Sequence, residues 1–364
     1  MSFKKLKFVK PEESDFSTTL KERVNHYFNT NNLSKHGNAS MILKTMLMLI
    51  MFLAPLVILN TGIVSSKLLL FGLYICSGIG MAGVGMAVMH DANHGSYSKN
   101  RNVNKYLGYT MNLIGANANV WKIQHNVLHH TYTNIDGLDD DINAPLFLRF
   151  SPNAKRYWVH KFQHFYVWIF YGLSTISWIT TKDYIRINRY RKMGFFKKEN
   201  EFRRELFKLT GWKLFYYSFA IVLPLIMIPI AWWIVLLAFC TMHFITGFIT
   251  SIIFQVAHVI PTTKFPATGE SDLIANDWFI HQLETTCNYS PKSKFFSWLI
   301  GGLNFQIEHH LFPNICHVHY RKLSKIVKQT AKEYNLPYLT HKTFASAILG
   351  HIKMLHQLGR PQLV

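Results

Sequence analysis

The sequence predicts an all-α integral membrane protein in which four transmembrane helices form two hairpins. Two stretches, residues 45–90 and 214–263, carry almost no charge, and each is long enough for two helices that cross a bilayer. Three short histidine clusters lie near the ends of these stretches or beyond them. We therefore predict that the hairpins carry a cytosolic helical cap, and that this cap holds a di-metal site.

The ends of the chain are expected to lie outside the membrane. Residues 1–40 are polar and rich in lysine, which predicts a soluble N-terminal arm with a short helix near 18–28. The first apolar run begins too far along the chain for a cleavable signal peptide. A membrane domain is predicted over 41–330, and residues 331–364 are expected to form a cytosolic tail.

The two uncharged stretches set the predicted spans. The first is interrupted only by Lys67. Because roughly 20 apolar residues cross a hydrocarbon core as a helix, we place two spans at about 42–60 and 68–89. The second stretch is predicted to hold spans at about 214–230 and 232–257, with a tight turn between them.

Two further apolar segments are predicted to lie in the membrane interface. Residues 103–121 contain several asparagines and a glycine, which makes them too polar for a span. Residues 165–181 are aromatic and uncharged, but a span here would place the second and third histidine clusters on opposite membrane faces. Aromatic residues also collect at the interface, so we predict an interfacial helix at each place.

The charge of the chain agrees with this topology. It has 39 Lys and Arg against 19 Asp and Glu, a net charge of +20. Nucleic-acid binding is a common reason for such a balance, but no motif of that kind is present and no nucleic-acid partner is expected. Only Lys67 lies in a hairpin turn, so the positive-inside rule places the termini and the histidine clusters in the cytoplasm. The membrane would be a bacterial cytoplasmic membrane or the endoplasmic reticulum.

The three clusters read HDANH, HNVLHH and QIEHH. Their members are His90, His94, His125, His129, His130, Gln306, His309 and His310. Residues three or four apart lie on one face of a helix, so each cluster can direct several nitrogens to one place. Imidazole binds iron, zinc, copper and nickel. A structural zinc site takes four ligands, so seven histidines predict more than one metal ion.

Other polar residues lie near the clusters. His258 ends the fourth predicted span as His90 ends the second, whereas His243 lies inside a span and is predicted to be a packed core residue. The aspartates of segment 136–141 form either a solvated loop or a set of carboxylates that orient metal-bound imidazoles. Cys316 and His317 have no partner cysteine pair, so they are not expected to form a zinc knuckle.

These clusters and their flanking residues resemble those of membrane fatty acid desaturases of the histidine-box di-iron type. The match includes His129–Asn134 and Asn304–Pro313, and it covers about residues 40–330. Glutamine at the first position of the third cluster resembles the front-end branch, which inserts a double bond between an existing one and the carboxyl end. The resemblance implies two iron ions, dioxygen as co-substrate, and eight histidine ligands with His258 as the eighth.

The resemblance also implies a substrate and several supporting roles. The substrate would be a fatty acyl chain on coenzyme A or on a lipid. The sequence has no His-Pro-Gly-Gly motif of a fused cytochrome, so electrons are expected from a separate b-type cytochrome or ferredoxin. Asp91 and Glu308 are expected to orient metal-bound imidazoles, and Gln306 is expected to lie near the metal without ligating it. The basic stretch 320–335 would face lipid headgroups or solvent, or would dock an acidic electron donor.

Two other functions stay open. A fatty acyl hydroxylase or a sphingolipid desaturase could use the same scaffold, although the match over Asn304–Pro313 favours the front-end branch. A membrane metal transporter would be a protein of another class. Transporters place ionisable ligands inside their spans near the bilayer midplane, whereas these clusters lie at span ends or beyond.

Overall fold

A computed structural model describes residues 6–9, 15–267, 273–274 and 276–361 of the chain. These residues are mostly helical, and four of their helices are long and apolar enough to cross a membrane. The spans, numbered one to four, are Ala39–Leu59, Lys67–Asn93, Glu199–Met227 and Trp232–His258. The predicted all-α class and the number of four spans are thereby confirmed.

The other elements connect the spans and build the layer above them. The remaining helices are Phe16–Thr30, Arg101–Gly108, Thr110–Leu113, Ala118–Lys122, Gln163–Ser177, Asp183–Lys192, Trp278–Thr285, Lys294–Leu299, Gln306–Leu311, Tyr320–Glu333 and Phe344–Leu358. Wider π-helical turns occur at Val84–Met89, Ile123–His129, Trp178–Lys182 and Ser218–Val222, and 3₁₀ turns occur at Trp158–Phe162 and His317–His319. Two short parallel strand pairs join Lys7–Phe8 to Leu273–Ile274 and Asn288–Tyr289 to Thr340–His341.

Span three begins at Glu199, well before the uncharged stretch from which it was predicted. Its additional turns bury Glu205 and Lys213. Residues of neighbouring segments contact both charged groups: Asn119 donates to the Glu205 carboxylate over 2.7 Å, and Lys213 pairs with Asp183 at 3.0 Å. A count of charged residues takes no account of such partners, so it does not predict where this helix begins.

The two segments predicted to be interfacial helices differ from each other. The segment predicted at 103–121 is divided near Gly115, whose φ of +79° ends one helical piece, and the next piece begins at Ala118. The segment predicted at 165–181 is helical throughout and continues through a π-turn to Lys192. Neither segment is among the candidate spans of the described residues.

Span four lies at the centre of the packing. A Cβ atom on Gly78 of span two would lie 2.7 Å from the carbonyl oxygen of Met242 in span four. A Cβ atom on Gly247 of span four would lie 2.7 Å from the carbonyl of Gly172, in helix Gln163–Ser177. Glycine therefore lets both neighbours approach span four closely. The C-terminal helix Phe344–Leu358 packs nearby, because its Leu355 is buried with residues of helix Gln163–Ser177.

Candidate metal centre

Four separate elements bring the eight predicted histidines together. Span two ends with His90 and His94, span four ends with His258, and helix Gln306–Leu311 carries the third cluster. The second cluster lies on the π-turn Ile123–His129. In that turn the amide of His130 donates to the carbonyl of His125, five residues earlier. The wider turn lets both rings face the same centre.

Group one consists of His90, His94, His125 and His309. One ring nitrogen of each residue lies within 4.8 Å of those of the others. His130 joins this group, since its Nε2 atom lies 3.2 Å from that of His125 and 3.0 Å from that of His309. Five imidazoles therefore converge, of which only His94 is not fully buried.

Group two consists of His129, His258 and His310, whose ligand atoms also lie within 4.8 Å of one another. The two groups are adjacent, because the rings of His130 and His310 stack with their centroids 4.4 Å apart. All eight predicted histidines therefore surround a single small region.

The donor set fits metal ions. The Nε2 atoms of His94, His258 and His310 are buried, and the described residues offer them no hydrogen-bond partner. Burial and neighbouring histidines lower the pKa values of His94 and His310 far below the usual range, so these rings are neutral and keep a free lone pair. An unpaired buried polar atom is costly, and a bound metal ion would remove that cost.

Fixed acceptors orient the rings of group two. The Nδ1 contacts are His129 to Asp139 at 3.0 Å, His310 to the side-chain oxygen of Gln282 at 2.8 Å, and His258 to the backbone oxygen of Thr285 at 3.2 Å. Carboxylate and carbonyl oxygens only accept, so each Nδ1 carries a proton and Nε2 is the ring atom left to ligate, in His129 once that atom has lost its own proton. Such outer partners fix both tautomer and ring orientation.

The rings of group one have longer or weaker supports. The Nδ1 contacts are His309 to the Tyr320 hydroxyl at 3.2 Å, His90 to Asp91 at 3.6 Å and His125 to Asp141 at 3.8 Å. Only the first is within hydrogen-bond distance. Group one therefore has more nitrogens than group two but less firmly held rings.

Two members of the acidic run contact the histidines. Asp139 and Asp141 both lie close to His129, at 3.0 Å and 3.6 Å. Burial by itself would lower the pKa of His129, but these carboxylates outweigh burial and raise it to about 9. Asp140 faces away from the cluster and pairs with Arg189. The sequence left the role of this run open, and the structure places two of its carboxylates beside the centre.

Asp91 is backed by residues that the sequence analysis did not assign to the site. Its Oδ2 atom lies 2.8 Å from His317 Nδ1 and 3.0 Å from Cys316 Sγ. The buried Lys44 ammonium lies 2.7 Å from the other ring nitrogen of His317. Since an ammonium group only donates, His317 accepts from Lys44 and donates to Asp91. In the sequence, the signal for this contact was a lysine isolated in an apolar helix.

Glu308 and Gln306 lie on different sides of the third cluster. The Glu308 carboxyl accepts from Asn288 at 2.7 Å and lies 3.0 Å from the Tyr338 hydroxyl, so these contacts are not to the cluster histidines that it was expected to orient. Adjacent helical residues point in different directions, which separates it from His309. Both amide atoms of Gln306 are buried without a partner in the described part of the chain.

A cavity of about 600 Å³ opens onto the centre. His125, His129 and His258 form part of its wall, and most of the rest is apolar. Many of the apolar residues come from span two, span four and helix Gln163–Ser177, among them Met81, Met89, Phe170, Leu173 and Phe254. The shape and the lining suit a flexible hydrocarbon chain.

Comparison with known proteins points to one family. The profile of a family described as fatty acid desaturase matches residues 65–342. The chain is 34% identical, over 99% of both proteins, to an sn-1 linoleoyl-lipid 6-desaturase of Synechocystis. It is also 34% identical, over 98% of its own length and 75% of the relative, to an acyl-lipid (8-3)-desaturase of Physcomitrium patens. A linoleoyl-lipid 6-desaturase of Arthrospira platensis is 32% identical over 94% of this chain and 92% of its own.

Proposed function

This chain belongs to the fatty acid desaturase family and is a front-end fatty acid desaturase, and we propose that it acts on lipid-linked acyl chains through a di-iron centre. The observation that carries the proposal is the convergence of eight histidines at one end of an apolar cavity. The names of similar proteins specify linoleoyl lipids and acyl lipids, which favours a lipid over coenzyme A as the acyl carrier.

The reaction needs an oxidant that amino acids lack. A saturated carbon–hydrogen bond offers no acidic proton, so two iron ions and dioxygen would supply the chemistry when bound. Group one together with His130 would hold one ion, and group two would hold the other. Gln306 would lie near the centre without ligating a metal ion, and its buried amide has no partner in the described residues.

The chain's own residues would hold the metal ions, orient the histidine rings and shield the centre from water. Asp139, Gln282 and the Thr285 carbonyl fix the Nδ1 protons of group two, so that each Nε2 faces the metal. The cavity would align a saturated two-carbon unit of the acyl chain with the centre. Its apolar walls would exclude water, which protects a strongly oxidising step from side reactions.

Orientation in the membrane and the electron source belong to the same proposal. The basic segments lie outside the hairpin turns, so the positive-inside rule favours a cytoplasmic centre and cytoplasmic termini. Helix Tyr320–Glu333 exposes Lys322, Lys325 and Lys328 on one face. This face suits an acidic donor, either a b-type cytochrome or a ferredoxin.

The test is the position of new double bonds in cells that express the chain and a compatible donor. Cells fed monounsaturated and diunsaturated acids should gain a double bond on the carboxyl side of an existing one. The variant His129→Ala should form none, whereas His26→Ala, which changes an exposed residue of helix Phe16–Thr30, should behave like the unchanged protein. A hydroxylated product, or an active His129→Ala variant, would overturn the proposal.

A further inference from the structure

We infer that Gly85 makes room below the metal centre for the methyl-side part of a long, bent acyl chain, and so admits substrates that a larger side chain at this position would exclude. The inference rests on the proposed function, because it assigns a specificity-determining residue to that substrate cavity. It concerns the wall of the cavity and not the metal ligands.

Gly85 borders open space although it is buried. It lies in the π-turn Val84–Met89 of span two and lines the cavity. Apart from its chain neighbours and the backbone of its own helix, no heavy atom would lie within 4 Å of a Cβ atom placed on Gly85. A side chain at this position would therefore project into the cavity.

Packing does not explain glycine at position 85. A Cβ atom on Gly78 would collide with Met242, one on Gly80 with Phe52, and one on Gly83 with Met48. Those three glycines are required by neighbouring helices. Gly85 has no such neighbour, and glycine destabilises a helix interior relative to alanine. The space itself is the feature that glycine preserves.

The depth of Gly85 matches the part of the chain beyond the reacting carbons. It precedes His90 by five residues, which corresponds to about 7 Å along a helix. Met81 lines the cavity one turn deeper. Below it the hydroxyl of Thr246 in span four donates to the Gly78 carbonyl over 2.9 Å, so the two spans touch there. An acyl chain that occupies this part of the cavity lies against Gly85.

The chemistry of the reaction makes this passage demanding. A front-end enzyme acts near the carboxyl end, so most of the chain lies on the methyl side of the metal. That side already holds at least one cis double bond, which bends the chain and widens its path. A bulky residue at position 85 would exclude long unsaturated chains first and short chains last.

Product analysis of matched leucine variants tests the inference. Gly85→Leu should lower the ratio of eighteen-carbon to fourteen-carbon conversion by about tenfold or more, as expected for added bulk in an apolar pocket. Gly72→Leu makes the same change on an exposed face of the same span, where a Cβ atom also has no neighbour within 4 Å, and should leave the ratio unchanged. An unchanged ratio in Gly85→Leu, with iron bound, would overturn the inference.

A second measurement does not need activity. In the purified Gly85→Cys variant, alkylation of the new thiol is followed by peptide mass spectrometry, with phosphatidylglycerol as the probe. Eighteen-carbon dienoyl chains should slow alkylation about tenfold and twelve-carbon saturated chains much less, while Gly72→Cys should respond equally to both. Equal alkylation of Gly85→Cys with both lipids would overturn the inference. If the unchanged protein forms no double bond, the proposed function fails while this measurement still reports on the cavity.

Discussion

The two histidine groups differ in how they would hold a metal ion. Group one gathers five imidazoles, including His130, but two of its outer contacts, to Asp91 and Asp141, exceed 3.5 Å. Group two has only three imidazoles, and each Nδ1 donates to a fixed oxygen at 3.2 Å or less. One group relies on the number of its nitrogens and the other on their orientation. We therefore expect group two to be the more sensitive to any single change.

Removing a ligand should give the largest effect. His258→Ala leaves two histidines in group two, so we expect loss of all desaturation and a fall from two bound irons to one. His94→Ala leaves four nitrogens in group one and should retain more iron. Iron content of the purified proteins, measured beside His26→Ala, checks both statements. Equal iron loss in the His258 and His94 variants would contradict the comparison.

Changing an outer partner should have a smaller effect that again differs between the groups. Asp139→Asn weakens the support of His129 and should lower kcat by about 10- to 100-fold, the usual range for such partners. His317→Gln acts on His90 only through Asp91, and the amide of the new glutamine can still donate to Asp91. We therefore expect kcat to decrease by less than about tenfold. The measurement is kcat together with iron content. A larger fall in kcat for the His317 variant than for the Asp139 variant would reverse the expected order.

The sequence was sufficient to predict which histidines converge, but not which residues contact their outer nitrogens. Spacings of three and four residues place His90, His94 and their counterparts on shared helix faces, so local periodicity reveals them. Gln282 and Tyr320 reach the centre only through contacts between distant segments, and nothing in their own neighbourhood marks them. The same reason applies to the helix of span three. Its Lys213 pairs with Asp183 of another helix, and nothing in the local sequence indicates this contact.

Metal loading should depend on pH more strongly at group two. Asp139 and Asp141 outweigh burial and raise the pKa of His129 to about 9, so this ring must lose a proton before it can ligate. Burial lowers the pKa of His125 to about 3, so a ring of group one is already neutral at pH 7. Affinity at group two should therefore rise with pH until about pH 9, while affinity at group one stays nearly constant.

Cobalt titration of the iron-free protein between about pH 6 and pH 8 tests this difference, because metal binding that displaces one proton strengthens about tenfold per pH unit. Asp139→Asn should reduce the slope at group two, since it removes one of the carboxylates that hold the proton on His129. Identical slopes for the two groups would show that the proton on His129 does not control loading.

Glu308→Gln should have the smallest effect of these changes. It tests whether a carboxyl near the cluster affects kcat when its contacts are to Asn288 and Tyr338 instead of to a cluster histidine. Burial raises the pKa of Glu308 to about 8, against the hydrogen bonds from Asn288 and Tyr338, so the group is mostly protonated at neutral pH. A protonated carboxyl and an amide have similar shape and no charge, and we expect kcat to change by less than about twofold. A decrease as large as that of Asp139→Asn, measured with iron still bound, would mean that Glu308 acts on the adjacent His309 and that proximity in sequence outweighs orientation.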